Sequence, residues 1–332
     1  MRIFRHYTEL PAEVRGAVVA LGNFDGVHLG HQAVIGTAVR IASQGRRPAG
    51  VMTFEPHPRA LFNPRQSPFR LTPFRIKARH IETLGVDYLF MQHFDRDFAA
   101  LTAEQFVDVV LHEGLQVSHV VVGYDFVFGA GRGGNLKVLE RLAHERGFAV
   151  TCVGPARGRE GEIYSSTGVR EALAQARPDD AARLLGRYWE IEGRVEPGDR
   201  RGRVIGFPTA NIELGEYQHP ALGVYAIRAG IDRGGATLWH DGIANFGNRP
   251  TFDKTDALLE THLFDFDGDL YGQHLRVALI EFIRTETKFS GIDALKAQID
   301  RDCQTARRIL AEHHFSEATG PSVPSRDQPA GP

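Results

Sequence analysis

The sequence predicts two domains of different class: an α/β domain built on a mostly parallel sheet, then an all-β barrel or sandwich followed by a C-terminal helix. Three observations predict it. The chain has 332 residues, and a domain typically takes roughly 150. The first half alternates short apolar runs with helical patterns, the order that right-handed crossovers in a parallel sheet require. After about residue 186 the helical period stops, and runs rich in β-branched and aromatic residues follow, separated by Gly, Asp and Pro.

Taken in order, Ala17–Leu21, Gly50–Phe54, Tyr88–Gln92, His119–Gly123 and Ala149–Val153 read as short buried strands. Between them, Thr72-Pro73 supplies an N-cap and first helical residue for a helix that Gly85 stops, and Thr102-x-x-Gln105 is a capping box for another that ends at Gly114. Ligands of such sheets bind at the carboxyl ends of the strands. In the second half Trp189–Val195, Val224–Ala229, Leu259–Phe266 and Leu275–Ile283 read as strands. One amphipathic helix follows, with Ile292, Leu295, Ile299, Cys303 and Ala306 on a single face. The stretch from Ser316 to Pro332 has four prolines and no aromatic residue. It is expected to be a disordered tail, because it cannot bury enough apolar surface to offset ordering. The expected division is 1–186, 187–315 and 316–332.

Composition narrows the function. Hydrophobic residues are 42% and charged residues 24% of the chain, the balance of a globular protein with a sizeable core. Lys plus Arg number 39 against 41 Asp plus Glu, a formal net charge of −2. That argues against a nucleic-acid partner held by a global basic field and leaves local phosphate sites open. No apolar run reaches the roughly 18 residues of a membrane span, and the N-terminus lacks a signal-peptide core. The expectation is a cytoplasmic protein with no membrane partner. Cys152 and Cys303 have no metal-ligand spacing and suit a reducing compartment. Self-association is left open.

Two places in the first half carry chemistry. The decapeptide Gly22-Asn23-Phe24-Asp25-Gly26-Val27-His28-Leu29-Gly30-His31 follows the first strand and opens the first helix. Its glycines let backbone N–H groups approach an anion beside the positive end of a helix, and His28 and His31 can donate to phosphate oxygens. Gly22, Phe24, Asp25, Gly26 and Gly30 make up the candidate anion-binding loop, with His28 and His31 as candidate catalytic groups. At Ser165-Ser166-Thr167-Gly168-Val169-Arg170, hydroxyls precede a helical pattern and Arg170 falls in its first turn. Ser166, Thr167 and Arg170 form a candidate second anion clamp. The plainer readings are a turn with incidental histidines and ordinary N-capping.

The second half has its own constellation. Gly193 to Arg203 combines glycines with arginines and leads into Gly206-Phe207-Pro208-Thr209-Ala210-Asn211. Gly198, Gly202, Arg203, Gly206 and Pro208 are the candidate phosphate cradle. Thr209 and Asn211 stand two apart, so an extended chain points both to one face, and their oxygens are hard ligands of the kind Mg²⁺ uses beside nucleotide phosphates. Glu260, an acid inside the otherwise apolar Leu259-Glu260-Thr261-His262, is a candidate general base for an alcohol. The plainer readings are a basic hairpin loop and a carboxylate on a solvent face. Asp265, Asp267 and Asp269 read as a hairpin turn.

These motifs carry a family resemblance. With Thr53-Phe54-Glu55-Pro56-His57-Pro58 and Val121-Val122-Gly123-Tyr124-Asp125-Phe126, the first half resembles the adenylyltransferase module of bacterial bifunctional riboflavin kinase/FAD synthetases over most of residues 15–180. That implies a Rossmann-like nucleotidyltransferase domain in which His28, His31, Ser166, Thr167 and Arg170 handle the ATP phosphates and Asp125 helps place the flavin. The second half resembles the riboflavin kinase domain over roughly 187–313, through Gly206–Asn211, Gly223-Val224-Tyr225, Asn245–Thr251 and Arg284–Phe289. That implies a six-stranded barrel in which Thr209 and Asn211 hold Mg²⁺–ATP and Glu260 deprotonates the ribityl 5′-hydroxyl. Arg249, the Arg284 segment and the terminal helix would close the flavin site. The implied reactions are phosphorylation of riboflavin to FMN and adenylylation of FMN to FAD. Many members carry Arg, Asp and Arg where this chain has Val127, Asn135 and Ile163. The alternative these departures raise is an active kinase with a weakly active or binding-only N-terminal module.

Overall fold

The computed structural model describes residues 1–65, 67–158, 161–197, 206–234, 237–250, 255–313 and 315, with only the backbone of 248–250, 255 and 256. The chain forms two compact units: Met1–Ser67 with Thr72–Ser165, and Pro68–Leu71 with the chain from Ser166 onward.

In the first unit six parallel strands take the order β1-β4-β3-β2-β5-β6. They are β1 (Arg2–Phe4), β2 (Val18–Leu21), β3 (Ala49–Glu55), β4 (Tyr88–His93), β5 (His119–Gly123) and β6 (Ala149–Val153). The helices used below are α1 (Leu29–Gly45), α2 (Pro58–Phe62), α3 (Phe74–Glu82), α4 (Arg96–Ala99), α5 (Ala103–Gln105) and α6 (Leu136–Arg146). Both faces of the sheet are covered, which is why its strands read as continuous apolar runs. From β2, Val18 and Ala20 pack with Val34, Ile35 and Ala38 of α1 and Ile81 of α3. Val19 and Leu21 pack on the other side with Leu139 and Leu142 of α6. Phe106, Val107, Val110 and Leu111 of a nine-residue π-helix, Phe106–Gly114, complete that side. The chain runs outward from β2 to β3 and β4, then returns to β5 on the other flank of β2. The crevice of such a reversal lies at the carboxyl end of β2, where Gly22 begins the His-x-Gly-His loop.

The capping box forms as expected: Gln105 N–H donates to Thr102 Oγ1 at 3.1 Å and Thr102 N–H to Gln105 Oε1 at 2.9 Å. The Thr72-Pro73 expectation needs correcting. Pro73 occupies the N-cap position of α3 with no side-chain cap. Thr72 donates instead to Asp25 Oδ1, from N–H at 3.0 Å and hydroxyl at 3.4 Å, because a buried carboxylate is costly without donors.

In the second unit α7 (Ser166–Ala174) and α8 (Pro178–Leu185) precede β7 (Trp189–Arg194), β8 (Ala210–Glu213), β9 (Gly223–Asp232), β10 (Thr237–Pro250), β11 (Thr255–Leu263) and β12 (His274–Arg284), and α9 (Ile292–Glu312) ends it. The strands make an antiparallel sheet in the order β7-β12-β9-β10-β11-β8. A backbone bridge between Glu196, just past β7, and Asn211 of β8 draws its two edges together into a near-barrel. Trp189, Ile191, Ile212, Tyr225, Ile227 and Leu259 are among its inward side chains. Outside it, Ala306, Ile309 and Leu310 of α9 cover Val224, Ala226 and Ile280. The expected apolar face of this helix is only partly right. Ile292 is exposed, while the carboxylate of Asp302 is buried beside Ala306. The expected tail, Ser316–Pro332, lies outside the described residues.

Candidate functional site

Three strained or crowded positions shape the loop after β2. Phe24 and Val27 hold φ of 48° and 43° although neither is glycine, and both are buried. Such conformations persist only where surrounding contacts over-determine them. A Cβ on Gly30 would sit 3.0 Å from the His28 ring and 3.1 Å from the Tyr164 carbonyl, so glycine lets the imidazole lie over the start of α1. His28 is the N-cap of α1, and its Nδ1 accepts from His31 N–H at 3.3 Å. An imidazole accepting at Nδ1 carries its proton on Nε2. The His28 and His31 rings stack with centroids 3.6 Å apart, and Phe24 meets His31 edge-on at 5.3 Å. No acidic residue stands in the first turn of α1, so its positive end is left for an anion.

A layer of buried groups, to which the sequence reading assigned no part here, holds this loop from below. Gly26 N–H donates to Thr72 Oγ1 at 2.8 Å, and Thr53 Oγ1 donates to the Asn23 carbonyl at 3.0 Å. Lys77, fully buried, places Nζ 2.9 Å from Glu55 Oε1 and 3.4 Å from Thr53 Oγ1. In the sequence Lys77 is one more charged residue on an amphipathic helix. Near the carboxyl ends of β3, β4 and β5, Phe54, Phe94, Phe98, Phe106, Phe126 and Phe128 form a continuous chain of ring contacts with centroids 5.5–6.1 Å apart. Asp125 lies exposed in the turn after β5. Ser166, Thr167 and Arg170 open α7 in the second unit, where Arg170 Nε donates to the Phe69 carbonyl at 2.8 Å. Of the three departures, Asn135 caps α6 by accepting from Val138 N–H at 3.1 Å, a task Asp would share, while Val127 and Ile163 are exposed.

In the near-barrel, strand register does what sequence distance hides. Glu260 of β11 stands directly opposite Asn211 of β8 on one side and Asn245 of β10 on the other. Directly opposed residues share a face. That face is the outer one, since Leu259 and Ile212 point into the barrel core. Glu260 is exposed between buried Leu259 and Thr261. Asn211 is 7% exposed, and its Oδ1 is buried with no hydrogen-bond partner among the described residues. Thr209, half-buried, immediately precedes β8. The Thr209 hydroxyl and the unsatisfied Asn211 carboxamide oxygen are hard-oxygen donors of the kind that fit Mg²⁺, with the Glu260 carboxylate across the ladder from them. Asn245 Nδ2 donates to Glu286 Oε1 at 3.3 Å. Gly206 holds φ of 93° at the entry to this segment.

The remaining expectations are placed or fall outside. Arg284 is turned to α9, with Nε 3.0 Å from Asp302 Oδ1 and Nη2 2.7 Å from Oδ2. Arg249 lies on β10 opposite Asp256, its side chain outside the described residues, as are Gly198, Gly202 and Arg203. Partial desolvation, aided by Glu140 and Asp125, raises the pKa of the exposed Cys152 thiol, and burial lifts Cys303 to about 11, so neither is set up as a thiolate nucleophile.

Comparison with known proteins follows the same division. Residues 10–168 match the family model described as FAD synthetase, and residues 185–310 the one described as riboflavin kinase. A bifunctional riboflavin kinase/FMN adenylyltransferase of Escherichia coli (strain K12) is 43% identical over 315 residues, covering 93% of this chain and 97% of the relative. The protein of that name from Bacillus subtilis (strain 168) is 40% identical, covering 89% of this chain and 93% of its own length. Among solved structures, a Streptococcus pneumoniae chain described as a macrolide-efflux protein superposes with a TM-score of 0.80 at 31% identity, over 92% of this chain and 98% of that one. Among the described residues here, no helix is long and apolar enough to cross a membrane.

Proposed function

The chain belongs to the bifunctional riboflavin kinase/FMN adenylyltransferase family, and on that premise we propose how its residues divide the work. It phosphorylates riboflavin to FMN with ATP, then adenylylates FMN to FAD with release of pyrophosphate. We assign adenylyl transfer to residues 1–186 and the kinase to 187–315, in a cytoplasmic setting and with self-association open.

The observation that carries the kinase assignment is the register that sets Glu260 opposite Asn211, beside Thr209. Glu260 takes the proton of the ribityl 5′-hydroxyl as its oxygen attacks the γ-phosphorus of ATP. A base so placed is worth about 10²–10⁴ in rate. Thr209 and Asn211 would hold Mg²⁺, whose charge neutralises the polyphosphate when it is bound. Gly206 and Pro208, with Gly198, Gly202 and Arg203, cradle the phosphates. Arg249 and Arg284 serve the flavin side, Arg284 by fixing the strand end against α9.

In adenylyl transfer an FMN phosphate oxygen attacks the α-phosphorus of ATP, and pyrophosphate leaves. The loop from Gly22 to Gly30, with the N-terminus of α1, receives the phosphates, while Asp25 and Gly26 hold its shape through Thr72. His28 and His31 stabilise the charge that develops on the transferring group. Ser166, Thr167 and Arg170, at the start of α7, form a second anion clamp. Asp125, exposed in the turn after β5, helps place the flavin.

The test is chromatographic. Purified full-length protein is incubated with riboflavin, ATP and Mg²⁺, and the three flavins are resolved over time. FMN rising first and FAD after it is the expected result. FMN accumulating without FAD, even when FMN is supplied directly, would mean that the N-terminal module only binds.

A further inference from the structure

Strand β11 carries a second polar residue on the face of Glu260, two positions on, and no step above uses it. The β8–β11 ladder runs from Glu213 opposite Leu258 to Ala210 opposite Thr261. Beyond that point the Gly206–Thr209 segment leaves the sheet, and Pro208 has no N–H with which to extend it. A side chain takes over. His262 Nδ1 lies 2.8 Å from the Pro208 carbonyl oxygen. A carbonyl can only accept, so His262 donates from Nδ1–H. Its ring is steadied on two sides, with Phe207 edge-on at 5.6 Å and Phe264 edge-on at 6.0 Å.

We propose that His262 is a positioning residue for riboflavin phosphorylation. By clamping the Pro208 carbonyl it fixes the peptide that leads into Thr209, so that the Thr209 hydroxyl and the Asn211 carboxamide face one point. The bond gives the Pro208 carbonyl a donor beyond the point where the β8–β11 ladder ends. It is specific in direction, since only a donor at the Nδ1 position reaches that carbonyl. The inference rests on the reading of Thr209 and Asn211 as the Mg²⁺–ATP donors.

The experiment compares wild type, His262→Ala, His262→Asn and Asn211→Ala as full-length proteins. Initial rates of FMN formation are measured against Mg²⁺–ATP and against free Mg²⁺. Thermal unfolding of the same preparations, without and with Mg²⁺–ATP, reports that each variant is folded and whether it still binds the nucleotide. His262→Ala is expected to raise the KM for Mg²⁺–ATP about tenfold, the size of one lost hydrogen bond and its ring contacts, with kcat within about twofold. His262→Asn, whose Nδ2 can stand where Nδ1–H stood, is expected to recover most of the loss. A kcat defect at unchanged KM, or failure of Asn to recover what Ala loses, would overturn the positioning role. Unchanged Mg²⁺ dependence in Asn211→Ala would instead overturn the donor reading, a distinct result that His262 does not control.

Discussion

Asn211 combines two properties that ordinarily exclude each other in a protein interior. Its side chain is almost fully buried, and its Oδ1 has no hydrogen-bond partner among the described residues. A buried carbonyl oxygen left unsatisfied costs about 1–3 kcal/mol, so the residue is a liability to the fold unless something supplied from outside uses that oxygen. Asn211→Leu, similar in shape, is therefore expected to keep or slightly raise the thermal midpoint, while FMN formation falls by about 10²-fold or more. Thermal unfolding and the flavin assay on the same sample check both halves. A midpoint lowered by several degrees would show that the oxygen is satisfied within the protein. Lys77 is the opposite case: a buried charge fully answered by Glu55 and Thr53, invisible in sequence because its helix shows the ordinary spacing of an exposed amphipathic element.

At the scale of elements, α9 shows where a sequence pattern is read well and where it misleads. Its apolar period locates the helix, but the face it buries includes Asp302, which takes the Arg284 guanidinium in a two-point contact and the Gln298 amide at 2.8 Å. Removing one member of such a pair strands the other charge. Asp302→Ala is expected to cost about 3 kcal/mol, read from the denaturant midpoint, and the paired change Asp302→Leu with Arg284→Met to recover most of it. The strands of both units were legible for a simple reason: they are apolar runs of ordinary length between turn residues. β1, β8 and β10 were not: β1 and β8 are only three and four residues long, and the fourteen residues of β10 are broken up by Asp241, Gly242, Gly247 and Asn248, so no continuous apolar run marks it. The capping box announced α5, yet nothing in Phe106–Gly114 announces a π-helix, because its apolar spacing also suits an α-helix. The candidate residues were legible as motifs. Their pairing was not: Glu260 meets Asn211 only through the register of distant strands, which the chain sets by tertiary packing. The same limit hid Thr72, whose hydroxyl serves Asp25 rather than the helix that it precedes.

For the whole molecule, the assignments above give the two reactions no catalytic residue in common. Glu260 belongs to the second unit, His28 and His31 to the first. FMN is the product of one and the substrate of the other, so the coupling between them needs no more than a shared solution. Full-length Glu260→Gln is expected to lose FMN formation from riboflavin by about 10²–10⁴-fold and to keep FMN-to-FAD conversion. The His28→Ala, His31→Ala double variant is expected to do the reverse. Neither alone makes FAD from riboflavin. Mixed in equal amounts with riboflavin, ATP and Mg²⁺, they should restore FAD synthesis, after a lag in which free FMN first accumulates and which shortens as the kinase-competent partner is increased. If each variant keeps its single activity but the mixture makes no FAD, FMN is not handed over through solution, and both intact sites are needed within one chain or one assembly. A mixture that makes FAD with no lag would mean that FMN passes between the chains without entering solution.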